Sequence, residues 1–127
     1  MLNIDPKTNK ITIINGDTGI IHIQIDNYQL KEGDVLRFTV KKALSNKTPD
    51  IRLVCTEDKN NPQGYFTDDG SCIIMLHSED TLDKDAGSYY YDVQVNLADG
   101  RVDTIIGPSK LVINKGVTEP TDDEEVE

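Results

Sequence analysis

The sequence predicts an all-β domain folded as a two-sheet antiparallel β-sandwich of seven to eight strands. Apolar and polar residues alternate with a period of two over most of the chain, and residues 35–42 show this alternation most clearly. No stretch keeps the i, i+3, i+4, i+7 spacing of an amphipathic helix for more than two turns. Turn signals such as Asn15-Gly16 and Asp99-Gly100 separate the alternating runs, as expected of a sandwich.

The candidate strands follow one another with short polar breaks between them. In order, they lie around residues 11–14, 21–26, 35–42, 51–55, 71–77, 89–97 and 101–106, and the last resumes at 110–114. Tyr65 and Phe66 form either a short edge strand or a lid over one end of the core. Because Ile73 and Met75 make the run 71–77 apolar on both faces, we expect a strand that is either buried on both sides or covered by a partner. Pro108 has no amide hydrogen to donate, which predicts a sheet edge at that point.

Charge is concentrated at one end of the 127-residue chain. The formal net charge is −10, and six of the 23 acids lie in the last nine residues. We therefore predict a sandwich domain over residues 1–115 and a disordered acidic tail, or the start of a linker, over 116–127. The other 17 acids stand against 13 Lys and Arg, with no basic stripe, so we expect no nucleic-acid partner. The sequence contains neither an apolar membrane span nor a signal-peptide pattern, so we expect no membrane partner.

The residue types that bind metals or carry catalysis are not grouped in the sequence. His22 and His77 are far apart, and neither stands at a zinc-binding spacing from a cysteine. Pairs of acids in the loops lack the pattern of a calcium loop. Cys55 and Cys72 would face each other if their strands formed a hairpin, so a disulfide and two free buried thiols both remain open. No hydrolase or phosphate-loop motif occurs, and we expect no enzyme activity, no metal and no cofactor.

Three consecutive tyrosines begin one of the candidate strands, in the run DAGSYYY that starts at Asp85. Alternation places Tyr89 and Tyr91 on the core face and Tyr90 outside. The run resembles the Asp-x-Gly/Ala-x-Tyr-x-Cys segment at a corner of immunoglobulin-like domains, with Tyr91 at the position of the cysteine. In such a tyrosine corner the hydroxyl bonds to the backbone a few residues upstream. We therefore expect a structural corner of Asp85, Gly87 and Tyr89, in which Gly87 permits a tight approach and Asp85 accepts backbone N–H groups.

Two longer segments, LKEGDVLRFTVKK at residues 30–42 and the run at 77–118, resemble a family of small proteins encoded in the structural-gene region of phages and prophages of Gram-positive bacteria. The family pattern is an acidic segment with a threonine, then Gly-x-Tyr-x-Tyr-Asp-Ile/Val-Gln, a turn, and a Thr-Ile-x-x-Pro ending. The matching positions are Gly33, Asp34, Phe38, Thr81, Gly87, Tyr89, Tyr91, Asp92, Gln94, Gly100, Thr104, Ile106 and Pro108. Similar segments begin the larger baseplate upper proteins. The resemblance implies an immunoglobulin-like β-sandwich of the virion or its tail and names no catalytic residue.

These observations together predict a non-enzymatic structural or adaptor module of a phage or prophage particle, in the virion or the host cytoplasm. It would assemble with copies of itself or with other tail or baseplate proteins. The candidate partner-binding residues are Tyr65, Phe66, Ile73, Met75 and Tyr90. The alternative function is an immunoglobulin-like carbohydrate- or cell-surface-binding module, in which the rings of Tyr65, Phe66 and Tyr90 would stack on a glycan.

Overall fold

The computed structural model of the chain describes residues 2–117 and, within that range, contains nine strands and one short helix. The elements are β1 Asn3–Ile4, β2 Ile11–Ile14, β3 Gly19–Ile23, β4 Val35–Lys41, β5 Ile51–Cys55, β6 Gly64–Phe66, β7 Cys72–Leu76, α1 Ser78–Leu82, β8 Gly87–Asn96 and β9 Val102–Asn114. The domain is all-β, as predicted, but it exceeds seven to eight strands because β1 is too short to show any alternation. Most of the predicted acidic tail, from residue 118 onward, lies outside the described residues.

The strands form two sheets in a sandwich-like arrangement. One sheet has six strands in the order β1-β2-β9-β8-β4-β5, and the other has three in the order β3-β7-β6. Most neighbours are antiparallel, but β2 and β9 run parallel, with Ile11 opposite Leu111. The prediction of a wholly antiparallel sandwich is therefore wrong at this pair. Alternation within a strand shows which face each residue occupies. It does not show whether a partner strand from the other end of the chain runs parallel or antiparallel.

The core lies between the two sheets and uses the inward face of each strand. Leu36, Phe38 and Val40 of β4 are completely buried, while the residues between them are half-buried. Tyr91 of β8 packs its ring against Phe38, with 5.4 Å between the ring centroids. Each large apolar side chain that is fully buried stabilises the fold by roughly 1.5 to 3 kcal/mol. The apolar residues of the period-two pattern in the sequence are thus the residues that form the core.

Strand β9 is continuous through Gly107 and Pro108, but its register shifts there. Tyr91 of β8 faces Ser109, whereas the next paired residue, Val93, faces Ile106, so β9 carries an extra residue at this point. Such a bulge bends the strand and leaves the proline without a ladder hydrogen bond to make. Within residues 2–117, β2 pairs with β9 only at 111–114, so the other side of Pro108 is an open edge. The prediction of an edge at Pro108 is confirmed.

Helix α1 was not predicted from the sequence, because five residues are too few to show a helical period. It is tied to the turn that follows β2. The buried hydroxyl of Thr81 accepts a hydrogen bond from the Gly16 N–H at 2.8 Å. The Asn15 amide donates to the carbonyl oxygens of Thr81 at 2.7 Å and Lys84 at 2.8 Å. These bonds connect the C-terminal end of the helix, and the residues that follow it, to the turn after β2.

The tyrosine corner has the hydrogen bond that the sequence predicts. The buried Tyr89 donates its hydroxyl to the main-chain carbonyl oxygen of Asp85 at 2.7 Å. Two details differ from the prediction. Asp85 contributes its carbonyl oxygen rather than its carboxylate. Gly87 is required for its φ of +144° and not for close packing, since a Cβ there would meet no atom within 4 Å.

Removing the Tyr89 hydroxyl tests the corner. We expect Tyr89→Phe to lower the free energy of unfolding by about 1 kcal/mol, because the part-buried hydrogen bond to the Asp85 carbonyl oxygen is lost. Tyr90→Phe is the matched control, since Tyr90 is exposed and its hydroxyl makes no hydrogen bond with any residue from 2 to 117. Urea denaturation of the two variants measures the difference. Equal stability of the two variants would contradict a structural role for the hydroxyl.

A buried carboxylate joins the loop before β4 to the β8–β9 hairpin. Asp34 is 1% exposed, and its Oδ1 accepts the Ala98 N–H at 2.8 Å. Its Oδ2 accepts the Tyr28 hydroxyl at 2.7 Å and the Lys31 N–H at 3.1 Å. A buried charge is tolerated when hydrogen bonds replace its hydration, and three donors do so here. Asp34 therefore fixes one end of the domain.

The same contact predicts a pH dependence of stability. The hydrogen bond to Asp34, followed by burial, raises the pKa of Tyr28 from 10.0 to about 12. The folded state holds the proton of the Tyr28 hydroxyl more tightly than the unfolded state does. The contribution of Tyr28 to the free energy of unfolding is therefore present below pH ~10 and is lost as the pH rises through ~12. We expect the stability difference between the wild type and Tyr28→Phe to shrink between these pH values in urea denaturation. A difference that is the same at both ends of this range would contradict the hydrogen bond.

Candidate interaction surfaces

The outer face of the three-stranded sheet is apolar, and we call it the small-sheet face. It consists of Ile20 and His22 on β3, Ile73 and Met75 on β7, and Tyr65 on β6. Ile20 lies opposite Met75, and Ile73 lies between His22 and Tyr65 across the three strands. Ile20, the second residue of β3, is 66% exposed and adds to the apolar surface of Ile73 and Met75. The expectation of an apolar outer face at Ile73 and Met75 is thus met by two half-buried side chains with Ile20 beside them.

Strand β3 is the open edge of this sheet. Among residues 2–117 it pairs only with β7, and the run 18–25 contains no Asp, Glu, Lys or Arg. Beside its start, Leu2, Thr18, Gly19 and Ile20 line an apolar hollow of about 310 Å³. The opposite edge differs, because the Phe66 N–H of β6 donates to the Thr56 carbonyl oxygen at 2.9 Å and connects that edge to the larger sheet. Uncharged open edges are the usual sites of strand addition.

The structure does not group the aromatic residues that were predicted to bind a partner. Phe66 is 3% exposed and belongs to the core, so its assignment as a partner-binding residue is wrong. Strand β6 has three residues, and alternation over so short a run could not show which ring points inward. Tyr65 faces outward, with the Lys59 ammonium 5.5 Å from its ring centroid. Tyr90 lies on the outer face of the other sheet, so Tyr65, Phe66 and Tyr90 form no common platform.

A second surface lies on the outer face of the six-stranded sheet, and we call it the large-sheet groove. It is a depression of about 310 Å³ over β4, β8 and the β9 bulge. Its lining includes Arg37, Thr39, Lys41, Leu44, Tyr90, Asp92, Gln94 and Pro108. Leu44 is 60% exposed and Tyr90 36% exposed, so the groove has an apolar part within a polar surround. Sequence alternation predicted only that Tyr90 points outward.

The two cysteines are free and completely buried. Their strands lie in different sheets, so the hairpin considered for them does not exist, and the thiols meet across the core instead. Cys55 also lies 3.6 Å from the carbonyl oxygen of Gln63. The hydrogen bond with Cys55, together with burial, raises the pKa of the Cys72 thiol, which keeps it protonated at neutral pH. A protonated and inaccessible thiol is a poor nucleophile.

The histidines and loop acids have structural surroundings. His77 is half-buried at the start of α1, where its Nε2 lies 2.6 Å from the Pro62 carbonyl oxygen. His22 is exposed on the small-sheet face. The carboxylates of Asp58 and Asp69 accept main-chain N–H groups two residues onward, as turn acids do. Across residues 2–117, no three metal-ligating side chains come together.

No protein-family model matches the chain, and no curated protein matches it in sequence. No helix between residues 2 and 117 has the length and apolar character needed to cross a bilayer.

Proposed function

We propose that this chain is a non-enzymatic structural or adaptor module of a phage or prophage tail or baseplate, and that it acts by protein–protein assembly. The observation that carries the proposal is the β3 edge, which is open, uncharged and flanked by the 66% exposed Ile20. A monomer that kept this edge in water would normally protect it with a charge, a proline or a covering segment. The resemblance of residues 30–42 and 77–118 to phage structural proteins supports the biological setting.

The proposed partner at this edge is a second copy of the chain. Two β3 strands related by a two-fold axis would pair antiparallel, so that the free N–H and C=O groups of each strand bond to the other. Such a dimer also brings the exposed Ile20 of each copy against the outward side chains of the neighbouring β3, which removes part of its apolar surface from water. Strand addition thus supplies register, and the contact of Ile20 across the new strand pair adds affinity.

An immunoglobulin-like fold belongs to the same proposal. If β3 to β9 correspond to strands B, C, C′, D, E, F and G, the three-stranded sheet has the order B-E-D, and the larger sheet contains G-F-C-C′. This is the division of strands in variable-type immunoglobulin domains. Tyr89, at the start of β8, then occupies the tyrosine corner of strand F. The paired thiols differ, because they lie on β5 and β7 instead of strands B and F.

The alternative glycan-binding function has less support. Sugar-binding modules usually present several aromatic rings on one surface. Here Phe66 is in the core, and Tyr65 and Tyr90 lie on the outer faces of different sheets.

The biological part of the proposal is tested by the composition of particles. Particles released from a host strain that encodes this chain are purified by density gradient and analysed by mass spectrometry. We expect peptides of this chain to copurify with tail proteins at a constant ratio, because a structural subunit has a fixed copy number per particle. If the chain is found only in the host cytosol and never in purified particles, the proposed role is wrong.

A further inference from the structure

The outer face of the six-stranded sheet carries a cluster of cations that is unexpected in an acidic protein. Arg37 and Lys41 of β4, Arg52 of β5 and Lys110 of β9 alternate with buried residues of their strands, which places all four on this face. Register brings them together, since Thr39 lies opposite Arg52, while Tyr90 lies between Lys41 and Lys110.

These cations have no acidic partner in the described part of the chain. Within residues 2–117, ion pairs form only at Lys59, Lys84 and Arg101, all elsewhere on the surface. Arg37 donates to the neutral side chain of Asn96. Arg37 and Lys41 line the groove together with one acid, Asp92, while Arg52 and Lys110 lie beside the groove on the same face. This excess of bases, in a chain of net charge −10, indicates a surface that attracts negative charge.

The acidic segment of the chain begins shortly after a strand of this sheet. The segment 118–127 contains Glu119, Asp122, Asp123, Glu124, Glu125 and Glu127. Residues 115–117 connect it to the end of β9, the strand that carries Lys110. Lys110 lies roughly 13 Å from Asn114 along the strand, and the eight residues 115–122 span up to about 27 Å when extended. The segment is therefore long enough to return over the groove.

We propose that the acidic segment 118–127 binds in the large-sheet groove of its own chain, with its carboxylates against Lys41, Lys110, Arg37 and Arg52. Attachment within one chain favours this occupant, because a short connection gives an effective concentration on the order of millimolar. Other acidic segments then reach the groove only after this one is displaced. The proposal is independent of assembly at β3, which lies in the other sheet.

The test compares amide chemical shifts of the full chain with those of a variant in which Asp122→Asn, Asp123→Asn, Glu124→Gln and Glu125→Gln neutralise the segment. Both proteins carry Ile20→Asp, so that association at β3 does not affect the result. In about 10 mM salt we expect differences centred on Tyr90, Lys41 and Lys110. They should vanish in about 1 M salt, where the Debye length falls from roughly 30 Å to 3 Å.

Charge variants in the groove identify the binding surface. We expect Lys41→Gln with Lys110→Gln to weaken occupancy of the groove by about fivefold, whereas the exposed Lys7→Gln, in the β1–β2 turn, should leave it unchanged. The differences should also persist on dilution. Differences that fade on dilution would assign the segment to a second copy and overturn binding within the chain. Differences absent from the groove, or insensitive to salt, would overturn the proposal altogether.

Discussion

Gly64→Ala is expected to be the most destabilising single-methyl substitution in the domain, lowering the free energy of unfolding by about 3 to 5 kcal/mol. Gly64 has a φ of +145°, which L side chains rarely adopt. A Cβ there would also lie closer than 3.0 Å to both the Cys55 sulfur and the Ile73 carbonyl oxygen. The backbone oxygen belongs to the β6–β7 ladder, so it cannot move without breaking the pairing at the closed edge of the small sheet.

Gly87→Ala separates the two contributions to this loss. Gly87 has nearly the same φ, +144°, but a Cβ at that position would meet nothing within 4 Å. Its cost should therefore be the backbone strain alone, about 1 to 2 kcal/mol. Urea denaturation of both variants measures the difference, which is the contribution of steric overlap. Equal losses at the two glycines would show that β6 does not approach β5 and β7 as closely as described.

Asp34→Ala is expected to lower the free energy of unfolding by about 2 to 4 kcal/mol, because three donors lose a charged acceptor. The Ala98 N–H, the Tyr28 hydroxyl and the Lys31 N–H all depend on this carboxylate. Asp34→Asn should cost less than alanine, since its single amide oxygen still accepts from one side of the site. The amide nitrogen would then face a donor on the other side.

The exposed Asp99 provides the control for this site. Its carboxylate also accepts a main-chain N–H, that of Arg101 at 3.0 Å, but in a solvent-exposed turn. Water replaces such a bond, so Asp99→Ala should cost less than about 1 kcal/mol in the same denaturation experiment. If Asp34→Ala is no more destabilising than Asp99→Ala, then Asp34 does not hold the loop to the hairpin.

The sequence predicts those parts of the fold that depend only on the residue pattern within one strand or on residues a few positions apart. Alternation in residues 35–42 identified Leu36, Phe38 and Val40 as core residues, and the structure buries all three. The spacing of Tyr89 from Asp85 predicted the corner hydrogen bond, because that contact spans only four residues. The residues Ile73 and Met75 likewise predicted that the outer face of β7 is apolar, because alternation within that one strand shows it.

Features that depend on residues far apart in the chain could not be predicted. The parallel pairing of β2 with β9, the hydrogen bond from Ala98 to Asp34 and the cation cluster each join distant segments. The short edge strand expected at Tyr65 and Phe66 is present as β6. Helix α1 and the inward orientation of Phe66 could not be predicted for another reason, since three to five residues contain less than two periods of any pattern. The strand that contains Ile20 could be predicted from its own alternation. Its position at an open edge could not, because that position depends on where β7 and β6 lie.

Sedimentation velocity over a wide range of protein concentrations tests assembly at β3 most directly. We expect the wild type to sediment faster as concentration rises, and Ile20→Asp to remain a monomer, because dimerisation would bury an unpaired carboxylate. Val102→Asp is the matched control, since Val102 is 52% exposed on another strand and should associate as the wild type does. A wild type that stays monomeric throughout, or an Ile20→Asp variant that associates as strongly as the wild type, would contradict the proposed assembly.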